Sequence, residues 1–162
     1  KNYENLRYEG FGPFNIPLII ETLTDNKNRS ASAIRTILQK NGGRLGEIGS
    51  TSHLFANVGI LHIDKKELSE NEIFDIASNF GAEDCFELKN AYEVISKKEN
   101  FYNIKTEFEK KLENFKYSGI EWRPHNYIVL KKEEKEKIIK ILNSLEEIDD
   151  VQNVYTNINF ND

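Results

Sequence analysis

The chain has 162 residues and a net charge of −5, which leaves room for one domain or two small ones and gives no global sign of nucleic-acid binding. Its single cysteine excludes an internal disulfide framework and fits a reducing compartment. No apolar run approaches membrane-spanning length and no signal-peptide pattern opens the chain, so no membrane partner is expected.

Asn5 to Phe11 alternates, with Leu6, Tyr8 and Phe11 as apolar members, and reads as a strand entering a turn at Gly10 to Pro13. Ile16, Leu18, Ile19 and Ile20 continue into Thr22, Leu23 and Thr24, the pattern of a buried strand. Ser30 or Ser32 can cap the next helix, in which Ile34, Ile37 and Leu38 share one stripe and which Asn41 and Gly42 end. A loop with Gly42, Gly43, Gly46 and Gly49 follows. Ser52 to Phe55 and Val58 to Ile63 are β-favouring runs that form a hairpin or one bent strand. Ser69 and Glu72 make a capping-box pattern ahead of Ile73, Ile76, Ala77 and Phe80, and Gly81 closes that helix. Cys85 to Leu88 and Tyr92 to Ile95 are strands around a turn. Phe101, Ile104, Phe108, Leu112 and Phe115 then mark a helix closed by Ser118 and Gly119. Ile120 to Trp122 is a strand, Glu133 to Leu145 a helix, and Val151 to Asn157 the last strand.

From Val58 to Trp122 this order is β, α, β, β, α, β, the split βαβ arrangement of ferredoxin-like domains. The flanking pieces need each other for a core. The expected fold class is therefore α+β with two small domains: a discontinuous one of residues 1–57 and 126–162, and an inserted ferredoxin-like one of residues 58–125. If so, the strand at Val151 to Tyr155 pairs in the same sheet as Leu18 to Leu23. Ala56, Asn57 and Arg123 to Asn126 are the expected joints, and Pro124 supports a boundary by biasing Arg123 towards an extended conformation.

Three motifs, LTDN-x-NR from Leu23, NGG-x-LGE-x-GS from Asn41 and DDVQNVY-x-N at Asp149 to Asn157, occur in an order that closely resembles the YebC/PmpR family. That family includes the mitochondrial translational activator of cytochrome c oxidase. The resemblance runs from about Arg7 to Asn157, with two departures. Gly10, Phe11, Gly12 and Pro13 are followed by Phe14 and Asn15 where the family usually has small residues, and the family's Lys-rich, helical N-terminal domain has no counterpart.

Catalytic and metal-binding signals are thin. His53, His62 and His125 are scattered without ligand spacing, and Cys85 sits in an apolar strand with no basic neighbour to activate it. Neither a metal nor a cofactor is expected, and no catalytic residue is assigned. The glycine loop lacks the GK[ST] ending of a phosphate loop. What remains is a cluster of cations and amides. Lys27, Asn28 and Arg29 precede a helix whose N-terminus favours an anion, Arg44 follows it, and Arg35 and Lys40 lie on its solvent side. Lys131 to Lys140 mixes Lys and Glu at i, i+4 spacing, the signature of a solvated face, so Lys137 is expected to contribute little to binding.

The resemblance implies function where these residues do not. Related proteins are described both as DNA-binding transcriptional regulators and as translation factors acting on the ribosome. Because no helix is read as carrying the Arg, Asn and Gln set of a major-groove reader, the expectation is a non-enzymatic translation factor contacting ribosomal RNA through Lys27, Asn28, Arg29, Arg35, Lys40 and Arg44. A DNA-binding transcriptional regulator is the alternative, and a protein-interaction or small-ligand module the second. The resemblance also implies a bacterial cytoplasm, or alternatively a mitochondrial matrix. No sequence feature sets the oligomeric state.

Overall fold

The computed structural model describes residues 2–160. Its strands are β1 (Glu4–Phe11), β2 (Pro17–Thr24), β3 (Arg44–Gly46), β4 (Phe55–Asp64), β5 (Asp84–Glu87), β6 (Ala91–Lys97), β7 (Tyr117–Pro124) and β8 (Val151–Thr156). The helices are α1 (Lys27–Lys40), α2 (Glu70–Asn79), α3 (Phe101–Glu109) and α4 (Lys132–Glu146). This is an α+β protein with two four-stranded antiparallel sheets. It divides into two compact units, Lys1–Ala56 with Arg123–Asp162, and Asn57–Trp122.

In the first unit the strand order is β3-β1-β2-β8. Leu18, Ile19 and Ile20 of β2 are fully buried, the burial expected of an unbroken apolar run in a central strand. β8 pairs antiparallel with β2, Leu18 opposite Thr156 and Ile20 opposite Val154, so the expected pairing of the Val151 strand with the Leu18 strand is present. Leu18 and Ile20 pack against Ile34 and Leu38 of α1 and Ile138, Ile141 and Leu145 of α4. Each such side chain contributes about 1.5–3 kcal/mol through burial, which fixes both helices to the sheet.

Helix α1 starts earlier than the serines suggest. Asn26 is the N-cap, its side chain accepting from the Arg29 N–H at 3.1 Å, while Ser30 is buried and donates its hydroxyl to Asp150. A cap at Asn26 outcompetes one at Ser30 because Ser30 has a buried carboxylate to satisfy. Asn26→Ala should therefore cost about 1 kcal/mol, read as a lower midpoint in urea unfolding with an unchanged slope. At the other end, Gly42 takes a φ of 80° and the Gly43 N–H reaches the Leu38 carbonyl at 2.8 Å. A Cβ on Gly43 would lie 2.1 Å from the Phe11 carbonyl oxygen, so only glycine lets the chain pass there. The passage creates β3, a strand within what reads as a loop, and β3 pairs with Glu9, Gly10 and Phe11.

The second unit has the strand order β5-β6-β4-β7 with α2 and α3 in the βαββαβ sequence, which is the ferredoxin-like arrangement. Its core joins Leu61 and Ile63 of β4, Tyr92 and Val94 of β6, Ile73, Ile76 and Ala77 of α2, and Phe101, Ile104 and Phe108 of α3. The Ser69–Glu72 capping box forms as the sequence suggests. Two local readings need correction. Helix α3 ends at Glu109 rather than running on to Phe115, because the Lys116 N–H already bonds the carbonyl of His62 in β4 and the intervening residues must cross back to the sheet. Ser52–Leu54 forms a 3-10 turn rather than a strand, its first N–H donating to the Glu9 carboxylate instead of a ladder.

Candidate nucleic-acid interface

The six expected contact residues all lie on the first unit but do not form one cluster. Lys27, Asn28 and Arg29 occupy the first turn of α1 instead of preceding it. Lys27, Asn28 and Arg35 line a groove of about 460 Å³ with Leu6, Arg7 and Tyr8 of β1 and the segment Leu45 to Ile48. The groove exists because β3 is short: its register covers Glu9 to Phe11, and the Leu6–Tyr8 stretch flanks α1 beyond it. The Tyr8 hydroxyl donates to the Lys27 carbonyl at 3.1 Å, tying the start of α1 to β1. Burial, then the Glu4 and Asp150 charges, raise the Tyr8 pKa.

Arg29 is turned away from that groove. Its Nη2 donates to Asp150 Oδ1 and to Asp25 Oδ1, each at 2.9 Å, and its Nε to Asp150 Oδ2 at 3.2 Å. Asp150 Oδ2 also accepts from Ser30 Oγ at 2.7 Å and Thr24 Oγ1 at 3.1 Å. The Ser30 hydrogen bond, with those from Arg29 and Thr24, holds the Asp150 pKa below the ordinary carboxylate value against the opposing effect of burial. The anion expected at the start of α1 is thus the protein's own carboxylate, supplied from a segment 120 residues further along. The LTDN-x-NR and DDVQNVY motifs meet at this point.

Arg44 projects from β3 with its guanidinium 4.3 Å from the Phe11 ring centroid, and Lys40 is exposed at the last turn of α1. Lys137 lies on the Glu-interleaved helix α4 without an ion pair among the described residues, and its Nζ lies 5.8 Å from the Phe14 ring centroid. A further correction concerns α1 itself. With the helix beginning at Lys27, Asn28, Ser32, Arg35 and Gln39 all lie on it at helical spacing, so it does carry Asn, Arg and Gln together. The starting point of the helix decides this, and placing the cap at Ser30 or Ser32 hides it.

Glu9 and Arg7 read as ordinary strand residues in the sequence, and the structure gives them a larger part. The Glu9 carboxylate is fully buried, accepts from the Thr51 and Ser52 N–H groups at 3.0 and 2.7 Å, and takes the Arg7 Nε at 3.0 Å. Burial alone would push its pKa up, but donors from the Gly49, Thr51 and Ser52 backbone and from Arg7 outweigh it and bring the value down to about 2. The available signal is the acid–base pair at i, i+2 on one strand face.

Elsewhere, His62 Nε2 lies 2.6 Å from Glu93 Oε2, His53 Nδ1 lies 3.1 Å from the Gly49 carbonyl, and the His125 N–H bonds the Leu54 carbonyl. Burial, with the Asp84 charge, pushes the Cys85 thiol up to about 11, far from a reactive thiolate. Among the described residues no three His, Cys, Asp or Glu side chains are grouped to hold a metal, and no helix is long and apolar enough to cross a membrane.

A chain that combines a ferredoxin-like unit with an α+β unit carrying a cation-lined groove defines a two-unit α+β class. The chain belongs to the TACO1/YebC family: the model described as the family's second and third domain matches residues 3–158. It is 49% identical over 159 residues to a "probable transcriptional regulatory protein" of Pelagibacter ubique, covering 98% of this chain and 66% of that protein. The crystal structure of a conserved hypothetical protein from Aquifex aeolicus is similar with a TM-score of 0.83 and 34% identity, again over 98% of this chain and 66% of the other.

Proposed function

We propose that the chain is part of a non-enzymatic regulator of gene expression that contacts RNA of the ribosome, with Lys27, Asn28 and Arg35 as the principal contacts and Arg44 and Lys40 as outlying ones. The observation that carries this reading is the groove, where α1 presents Lys27, Asn28 and Arg35 opposite β1 and the segment after β3. A concave site bounded by a helix, a strand and a loop suits the irregular phosphate backbone of folded RNA, which is recognised by shape and backbone contacts. Reading a duplex major groove needs one projecting helix face. Glu9 and Glu47 also line the groove, and the net charge is −5, so affinity here has to come from local placement rather than bulk charge. Arg29 contributes less than its neighbours because its donors are held by Asp150 and Asp25.

Lys27→Ala with Arg35→Ala should weaken binding of ribosomal RNA fragments alike and flatten the dependence of log affinity on log salt by about 0.7–0.9 for every phosphate no longer neutralised. Lys110→Ala, at a lysine paired with Glu107 in the second unit, should leave both unchanged. Equal behaviour of the two variants would sink the groove assignment.

One observation favours a second reading, a DNA-binding transcriptional regulator: Asn28, Arg35 and Gln39 on α1 are residue types that pair with adenine and guanine edges. The name of the Pelagibacter relative points the same way. Binding to ribosomal RNA and to duplex DNA at matched salt separates the two, and sequence-selective duplex binding abolished by Arg35→Ala would establish the second.

A further inference from the structure

We propose that Phe14, with Lys137 and Lys140, forms a stacking site for an unpaired nucleobase of single-stranded RNA, separate from the α1 groove. The proposal rests on the RNA-contacting reading above and adds a second point of attachment with a different physical basis. The turn between β1 and β2 holds Phe14 and Asn15 in succession at φ 63° and 58°, a left-handed conformation disfavoured for a bulky side chain. The turn is closed by the Gly12 N–H on the Ile16 carbonyl at 2.8 Å. Its outcome is a phenylalanine that is 44% exposed, although the core is close by: a Cβ on Gly12 would lie 3.5 Å from Ile138 and 3.8 Å from Leu18. A phenylalanine in this backbone conformation stays partly open to solvent and does not belong to the buried core cluster of its unit.

What surrounds the ring suits a nucleotide. Phe14, Pro13, Asn41, Ile141, Lys137 and Lys140 line an open pocket of about 370 Å³. Lys137 Nζ stands 5.8 Å from the ring centroid. Glu133 and Glu136 lie one helical turn before the two lysines, yet among the described residues neither lysine is ion-paired. An exposed aromatic face beside unneutralised cations is the arrangement that binds single strands, bases stacking on the ring and phosphates meeting the charges. A duplex keeps its base faces stacked on one another and has none to offer.

The test uses the intact protein and a short single-stranded RNA carrying 2-aminopurine, with affinity followed by anisotropy at several salt concentrations and stacking followed by 2-aminopurine emission. Phe14→Leu keeps an apolar side chain of similar bulk and removes the π face; it should weaken binding about tenfold and leave the salt slope unchanged, since stacking releases no counterions. F14W should bind as the parent or better. Lys137→Ala with Lys140→Ala should instead flatten the slope, by about 0.7 for each phosphate those lysines neutralise. Phe14→Gly relieves the positive φ and should melt no lower than the parent, so weaker RNA binding by that variant cannot be put down to misfolding. Parent-like affinity of Phe14→Leu, or 2-aminopurine emission unchanged on binding, overturns the proposal. If that happens while Lys27→Ala with Arg35→Ala still weakens binding, the RNA reading stands and this site alone fails. If the parent protein binds duplex DNA and no RNA, both fail.

Discussion

Asp150→Ala should destabilise the protein by about 3 kcal/mol. Its carboxylate takes hydrogen bonds from Ser30 and Thr24, both fully buried, and from Arg29. Truncation removes the shorter Ser30 acceptor and one of the two Thr24 acceptors, leaving these hydroxyls the Asn26 carbonyl at 3.4 and 3.0 Å, and leaves Arg29 with Asp25 alone. Asp150→Asn keeps an acceptor and should lose less, and Arg29→Ala less again, because the Arg29 side chain is half exposed and surface pairs contribute little. Urea unfolding of the three variants measures the order. A different ranking, with Arg29→Ala the most damaging, would mean that the ion pair rather than the buried hydroxyl network joins the α1 and β8 segments.

Acid sensitivity should centre on Glu9. Its pKa falls from 4.5 to about 2 on folding, so the native state binds the proton less readily than the unfolded chain does. The stabilisation, about 3 kcal/mol, is complete above pH 4.5 and is lost as pH falls from there through 2. Asp150, also depressed, acts with the same sign in the acid range. Glu9→Gln should remove most of this contribution at pH 7 and flatten the acid limb of the stability profile. Unfolding free energies of parent and variant that decline in parallel between pH 5 and 2 would place the acid sensitivity elsewhere.

Much of the architecture is legible in the sequence because it follows from periodicity. The apolar run at Leu18 to Ile20 demands a strand with neighbours on both sides, and the Ser69–Glu72 pattern, the Ile34–Leu38 stripe and Gly81 mark helices that the structure contains. Errors arise where a distant partner sets the local choice. Ser30 is a good N-cap in isolation, but Asp150 lies 120 residues away and claims its hydroxyl. The glycine segment becomes β3 because Phe11 offers a carbonyl and Gly43 has no side chain to keep it off. In the site, the residue types are readable and their grouping is not. Arg29 and Arg35 are six positions apart on one helix, which at 3.6 residues per turn sends them to different faces. Lys137 reads as part of a solvated, Glu-interleaved face, and its contact with Phe14 from a distant turn is not visible in that local pattern.

The pairing of β2 with β8 also sets an order of events during synthesis. Asn57–Trp122 is continuous and leaves the ribosome as a piece that contains all four strands and both helices of its fold. The earlier segment does not: Leu18 and Ile20 wait for Ile138, Ile141 and Leu145, and the free edge of β2 waits for Val151 to Thr156. The later-made unit is thus able to mature before the earlier-begun one, the reverse of the usual N-to-C progression. In the interval a strand that ends up almost wholly buried stands half-covered with one edge unpaired. Until Val151 to Thr156 emerge, that nascent strand is the natural target for a holding chaperone.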